Sequence, residues 1–143
     1  TVYIGSGIRF AGYTGGGSKD EINGLLSSGD VGHFDEAGRL FIDGRADDMI
    51  VSGGENVYPE EVENLLMEHD SINEAAVIGV PDDEFGQRLK AYVVTEPGET
   101  LSAQEVQAHV KSNLARYKVP REVTFLDELP RNPTGKLLRG KLS

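Results

Sequence analysis

The chain contains no cysteine and no tryptophan. Without thiols there is no disulfide, no cysteine-based zinc site and no thiol nucleophile to consider. Without tryptophan, and with only five phenylalanines and five tyrosines in 143 residues, the core must be mostly aliphatic. Basic residues are also short: 14 Lys and Arg stand against 24 Asp and Glu, a formal net charge of -10. No basic stripe remains to drive counterion release, which argues against nucleic-acid binding. The three histidines, His33, His69 and His109, are isolated in the sequence and lack metal-site spacing; they are expected at the surface or in packing, and no metal ligands are assigned. No apolar run approaches the length of a bilayer span. The first residues show neither the basic start nor the apolar block of a secretory signal, so the cytoplasm is the expected compartment.

What is present reads as a globular protein. A hydrophobic share of 38% with 27% charged residues is ordinary, and the length suits one domain or one domain plus a fragment. Residues 1–44 hold 11 of the 18 glycines and too few apolar residues to bury a core. They read as the edge of a larger domain, with short strands expected at Thr1-Val2-Tyr3-Ile4 and, after the turn Asp35-Glu36-Ala37-Gly38, at Arg39-Leu40-Phe41-Ile42. The Gly15-Gly16-Gly17 run lacks the lysine and Ser/Thr of a P-loop and the spacing of a dinucleotide fingerprint, so it reads as a loop.

From Arg45 onward the pattern is that of a compact α+β domain. Asp48-Met49-Ile50-Val51 suits a short strand. Pro59 suits a first helical position, with Glu60 and Glu61 in the first turn and Val62, Leu65 and Leu66 on one face. Strands are expected over 74–80 (EAAVIGV, stopped by Pro81), 89–95 (LKAYVVT) and 122–126 (EVTFL). Ser102 and Glu105 form a capping box for a helix running to about Arg116, and a short terminal helix is expected over 135–142. Three strands covered by two helices make a small two-layer α+β domain.

Four motifs invite chemistry. In Pro130-Arg131-Asn132-Pro133-Thr134-Gly135-Lys136 two prolines and a glycine carry a lysine on a turn; alone, this reads as a solvated surface turn. In Ser28-Gly29-Asp30 a carboxylate follows a glycine and could accept two hydrogen bonds from a ribose diol; alone, it reads as an ordinary turn aspartate. Gly44-Arg45-Ala46-Asp47-Asp48 sets an arginine beside two acids, a phosphate or ribose ligand or else a surface ion pair. In Ser52-Gly53-Gly54-Glu55 a tight strand-to-helix loop and a passage for a ligand close to the backbone are equally open readings.

Taken together and in this order, SSGDVGHFDEAGRLFIDGRADDMIVSGGENVYPEEVE, ARYKVP and PRNPTGKLLR resemble the C-terminal part of the ANL adenylating enzymes, over residues 29–139. Within that superfamily the chain most resembles a fatty-acyl-CoA synthetase. The resemblance implies a large N-terminal AMP-binding domain, of which 1–46 would be the remnant, and a mobile C-terminal domain over 47–143. It implies synthesis of an acyl adenylate from a carboxylic, here fatty, acid and ATP with Mg2+, followed by transfer to coenzyme A. Asp30 would bind the ATP ribose and Arg45 the ribose or phosphate. Asp47 would be the hinge, Lys136 the adenylation lysine, and Gly53 and Gly54 the lining of the pantetheine passage. The family's Ser/Thr/Gly-rich phosphate loop and its acyl pocket belong to the N-terminal domain and are absent here, so the isolated chain is expected to be inactive. Two alternatives stay open: transfer to a carrier-protein phosphopantetheine, or a non-catalytic interaction module using the helix at 59–69.

Overall fold

The computed structural model describes residues 1–5 and 20–142; the Gly15-Gly16-Gly17 run lies outside the described residues. The chain divides into two compact units, Thr1–Asp47 and Asp48–Ser143.

The first unit is made of short strands. β1 (Tyr3–Ile4), β2 (Glu21–Ile22) and β3 (Leu25–Ser27) form one antiparallel sheet in the order β1-β3-β2. β4 (Asp30–Phe34) and β5 (Leu40–Arg45) form an antiparallel hairpin whose register sets Asp30 opposite Arg45. Asp35 closes its turn, accepting from the backbone and side chain of Arg39. Ile4, Ile22, Phe34, Phe41 and Ile42 remain exposed within this unit. A 3-10 turn, Ala46–Asp48, follows β5.

The second unit holds a five-stranded sheet: β6 (Ile50–Ser52), β7 (Glu55–Val57), β8 (Ile72–Asp82), β9 (Gly86–Thr95) and β10 (Glu122–Phe125). The long β8–β9 hairpin is antiparallel, and β10 lies parallel to β9 on its other side. α1 (Pro59–Met67) starts on its proline, and α2 (Ala103–Asn113) starts on the complete Ser102–Glu105 capping box. Alternation along β8 and β9 splits the core in two. On one face Ala75, Val77, Ala91 and Val93 meet Val62 and Leu66 of α1 and Val106 and Val110 of α2. On the other, Ala76, Tyr92 and Val94 meet Leu129 and Leu142 of the C-terminal segment. The fold is α+β, with the three expected strands in place.

The elements differ from expectation at four points. The strand expected at 48–51 forms as β6, shifted to Ile50–Ser52, and an unforeseen strand, β7, pairs with it, so the segment between them is a hairpin turn rather than a strand-to-helix loop. β8 continues through Pro81 to Asp82, because among the described residues Pro81 stands on a strand paired only with β9, where a missing N–H costs no ladder bond. α2 ends at Asn113, and a 3-10 turn follows at Arg116–Lys118. The terminal helix shrinks to one 3-10 turn, Arg139–Lys141, since the chain before it doubles back through an Arg131–Leu137 bridge and the Leu138 N–H is given to Pro130 O at 2.8 Å. His69 and His109, isolated in the sequence, meet edge to face with ring centroids 5.1 Å apart.

Candidate functional site

Lys136 sits at the end of a turn that its neighbours lock. Asn132 Oδ1 accepts from the Thr134 N–H at 3.1 Å, the Thr134 hydroxyl at 2.7 Å and the Lys136 N–H at 2.8 Å. The Asn132 N–H in turn donates to Lys136 O at 2.9 Å. The backbone is therefore fixed, while the lysine is exposed and its amine has no ion pair among the described residues. That combination, a rigid base under a free cation, suits a group that must follow charge developing on a ligand.

In the first unit the structure brings Asp30, Arg45 and Asp47 together. Arg45 Nη1 donates to Ser28 O at 3.0 Å and to Asp30 Oδ1 at 3.2 Å, and Arg45 Nη2 lies 3.7 Å from Asp47 Oδ2. A Cβ on Gly29 would stand 2.9 Å from the Arg45 guanidinium, so the glycine is what lets the arginine lie there. Asp30 and Arg45 are partly exposed, and Asp47, in the 3-10 turn, is 85% exposed. A carboxylate and a guanidinium held side by side on paired strands can serve a diol and a phosphate at once.

Gly53 and Gly54 form the two-residue turn of the β6–β7 hairpin, with φ of 60° and 86°. Two successive positive φ values are what such a tight turn requires, which gives the glycines a structural reason independent of any ligand. Gly53 also lines a cleft of about 1040 Å3 in the second unit; Gly54 does not line it. Across the cleft stand Phe85, Tyr117, Arg88, Lys111, Arg116 and Arg121. Arg121 stacks on Phe85 at 4.1 Å and faces Asp82, whose carboxyl is held below its usual range first by the Phe85 N–H. Arg88 is paired with Asp82 and Glu122, and its buried Nε–H has no partner among the described residues. Lys111 and Arg116 make no ion pair among the described residues. A cleft with two rings and surplus positive charge suits an anionic, partly aromatic ligand such as a nucleotide. Lys136 is not among its lining residues.

Sequence reasoning missed this cleft. Arg116 and Tyr117 fall in the quoted ARYKVP, but nothing in spacing could bring Phe85 and Arg88 of the β8–β9 turn region to the end of α2. No group of three or more His, Asp or Glu side chains that could hold a metal lies together among the described residues. No described helix is long and apolar enough to cross a membrane.

Comparison with known proteins adds a frame to this geometry. The family model described as the AMP-binding enzyme C-terminal domain matches residues 61–136. The chain is 51% identical over 122 residues to a 3-[(3aS,4S,7aS)-7a-methyl-1,5-dioxo-octahydro-1H-inden-4-yl]propanoyl:CoA ligase of Rhodococcus jostii, covering 85% of this chain and 24% of the relative. It is 45% identical over 117 residues to a long-chain-fatty-acid–CoA ligase of Mycobacterium tuberculosis, covering 82% and 23%. Among solved structures, o-succinylbenzoate CoA synthetase of Bacillus subtilis, in complex with its acyl-adenylate intermediate, superposes with a TM-score of 0.80 at 43% identity, covering 85% of this chain and 25% of that one. The chain thus spans about a quarter of the length of these relatives.

Proposed function

The chain belongs to the AMP-binding enzyme family, whose C-terminal domain it carries, and on that premise we propose that it is the C-terminal part of an ATP-dependent acid–thiol ligase. The observation that carries the reading is the Lys136 turn: a backbone held by Asn132 under an exposed amine with no ion pair among the described residues.

In the first half-reaction a carboxylate oxygen of the acid attacks the α-phosphorus of ATP. The bond to the β,γ-phosphates breaks, and pyrophosphate leaves with its electron pair. Two anions must approach each other, and the Lys136 amine between them lowers that repulsion most at the transition state. Asp30 accepts from the ribose hydroxyls, and Arg45 holds Asp30 while offering its free donors to the ribose or phosphate. In the second half-reaction the sulfur of coenzyme A attacks the acyl carbon, the carbon–oxygen bond to AMP breaks, and the thiol proton passes to solvent. A hinge at Asp47 withdraws Lys136 and brings the Gly53 side of the domain to the thiol, so one lid serves both steps. The basic cleft beside Gly53 takes the anionic part of coenzyme A; its surplus charge favours free coenzyme A over a carrier protein as acceptor. Mg2+ would be held chiefly by the ATP phosphates together with the large N-terminal domain.

The acid is a carboxylic acid and, as the finer proposal, a fatty acid, supported by likeness to the long-chain-fatty-acid–CoA ligase. Relatives named for a bicyclic propanoate and for o-succinylbenzoate match comparably, so the test spans them. That test is ATP–pyrophosphate exchange on the full-length protein with palmitate, butyrate or o-succinylbenzoate. Acid-dependent exchange is expected, and Lys136→Ala should lower it by about 10²–10³ while sparing thioester formation from supplied acyl adenylate. Equal damage to both half-reactions would remove Lys136 from its role.

A further inference from the structure

From residue 127 to residue 142 the chain forms no helix longer than one 3-10 turn, and it pairs with itself through a single bridge. The place of Lys136 therefore depends on side chains. Two arginines fix it, one on each side, and both reach β8. Arg131 pairs with Glu74 of β8 and donates to Gly135 O at 2.9 Å. Arg139 grips both carboxylate oxygens of Glu63 on α1, with Nη2–Oε2 at 2.9 Å. Its Nη1 also donates to Val77 O of β8 at 3.1 Å, and its Nε lies 3.5 Å from Asp48 Oδ2. Glu63 Oε1 completes the cluster by accepting the Val77 N–H at 2.7 Å.

Glu63 is only 6% exposed. A buried ion pair adds little stability over apolar residues of similar volume, because desolvation offsets its attraction. What it does supply is one geometry, since the planar guanidinium fork meets a carboxylate in a fixed orientation. The geometry fixed here joins four places: the helix, β8, the lysine segment, and Asp48, the first residue of the second unit.

We propose that Arg139 is a positioning residue for adenylation: clamped by Glu63 and Asp48, it sets where the Lys136 amine stands relative to the hinge-side start of the unit. The inference rests on the reading of Lys136 as the adenylation lysine. Rotation about a hinge delivers a group accurately only if its distance from the hinge is fixed, and an error of about 1 Å in such placement can cost about 10²-fold in rate.

The test uses the full-length protein and three variants, Lys136→Ala, Arg139→Lys and Asp48→Asn. Each is assayed for ATP–pyrophosphate exchange with palmitate and with o-succinylbenzoate, and for thioester formation from the matching acyl adenylate and coenzyme A. Arg139→Lys keeps the charge and loses the fork. It should lower kcat for exchange by about 10–10²-fold, with KM for ATP and the thioester step near wild type. Asp48→Asn should give a smaller loss confined to the same step. Loss shared equally by both half-reactions, or an unchanged kcat in a folded Arg139→Lys protein, would overturn the proposal. Should Arg139→Lys fail to fold, Asp48→Asn decides, since it removes the charge of one partly exposed partner of Arg139: a selective loss of adenylation supports the proposal and a wild-type kcat overturns it. Exchange that survives Lys136→Ala overturns the underlying reading, and the inference with it, whatever the other variants do.

Discussion

Lys136 is presented by residues that do no chemistry of their own. Its turn was legible from two prolines and a glycine, whereas the three hydrogen bonds gathered by Asn132 were not, because an asparagine between prolines predicts a turn without predicting which N–H groups it will satisfy. The same holds for Gly53 and Gly54. Their adjacency signalled a special backbone, and the structure shows the cause to be a hairpin turn with two positive φ values. A Cβ at Gly53 would meet the Phe85 ring at 3.0 Å, while one at Gly54 would meet nothing within 4 Å. Gly54→Ala should therefore cost about 1–2 kcal/mol for the left-handed backbone alone, and Gly53→Ala more, with Phe85 displaced. Urea unfolding of the 143-residue chain orders the two; equal costs would mean that Phe85 yields freely.

Elements were readable where local chemistry decides them. α1 begins on Pro59 and α2 on Ser102 as expected, because a proline at a first helical position and a capping box are self-contained signals. Ser102→Ala should destabilise the chain by about 1 kcal/mol, read as a lower urea midpoint. The capping box also titrates. Glu105 is held below its usual range, first by the Ser102 N–H and then by the Ser102 hydroxyl. A group whose folded pKa is depressed contributes stability that is present above its unfolded value, about 4.3 for glutamate, and lost as pH falls through the lower folded value. The urea midpoint should fall on acidification through that window, and Glu105→Gln should flatten the fall. β7 was not readable, since Glu-Asn-Val has no pattern of its own and becomes a strand only because β6 lies opposite. The terminal segment misled for a related reason: its sequence permits a helix, but its backbone groups are spent on Asn132, Pro130 and the Arg131–Leu137 bridge.

At the scale of the molecule, both core clusters lie within residues 48–143. That stretch expressed alone should unfold in one cooperative transition; a broad, featureless melt would show that the core needs more chain than this. The family was legible because its motifs are short stretches that keep their order. The basic cleft was not, since it is assembled from the β8–β9 turn region, α2 and the segment after it. A local excess of positive charge on a chain of formal charge -10 is invisible to composition. In the full-length protein, Lys111→Ala and Arg116→Ala should each raise KM for coenzyme A by about two- to five-fold, as expected for exposed charges worth below about 1 kcal/mol. The effect should shrink as salt is added. An effect independent of salt would point to shape rather than charge.

The Glu63–Arg139 pair has one more consequence, which concerns the chain's neighbours rather than its ligand. β8 is 11 residues long, carries the run Ala75-Ala76-Val77-Ile78, and among the described residues its outer side pairs with no strand. Such a border is a template on which a second molecule could lay a strand of its own. At Val77 that template is already occupied: the N–H belongs to Glu63 and the carbonyl to Arg139. Glu63→Ala frees the Val77 N–H and takes from Arg139 its main anchor beside the Val77 carbonyl, and the variant should be prone to self-assembly, binding thioflavin T and scattering light on standing at concentrations where the parent chain stays clear.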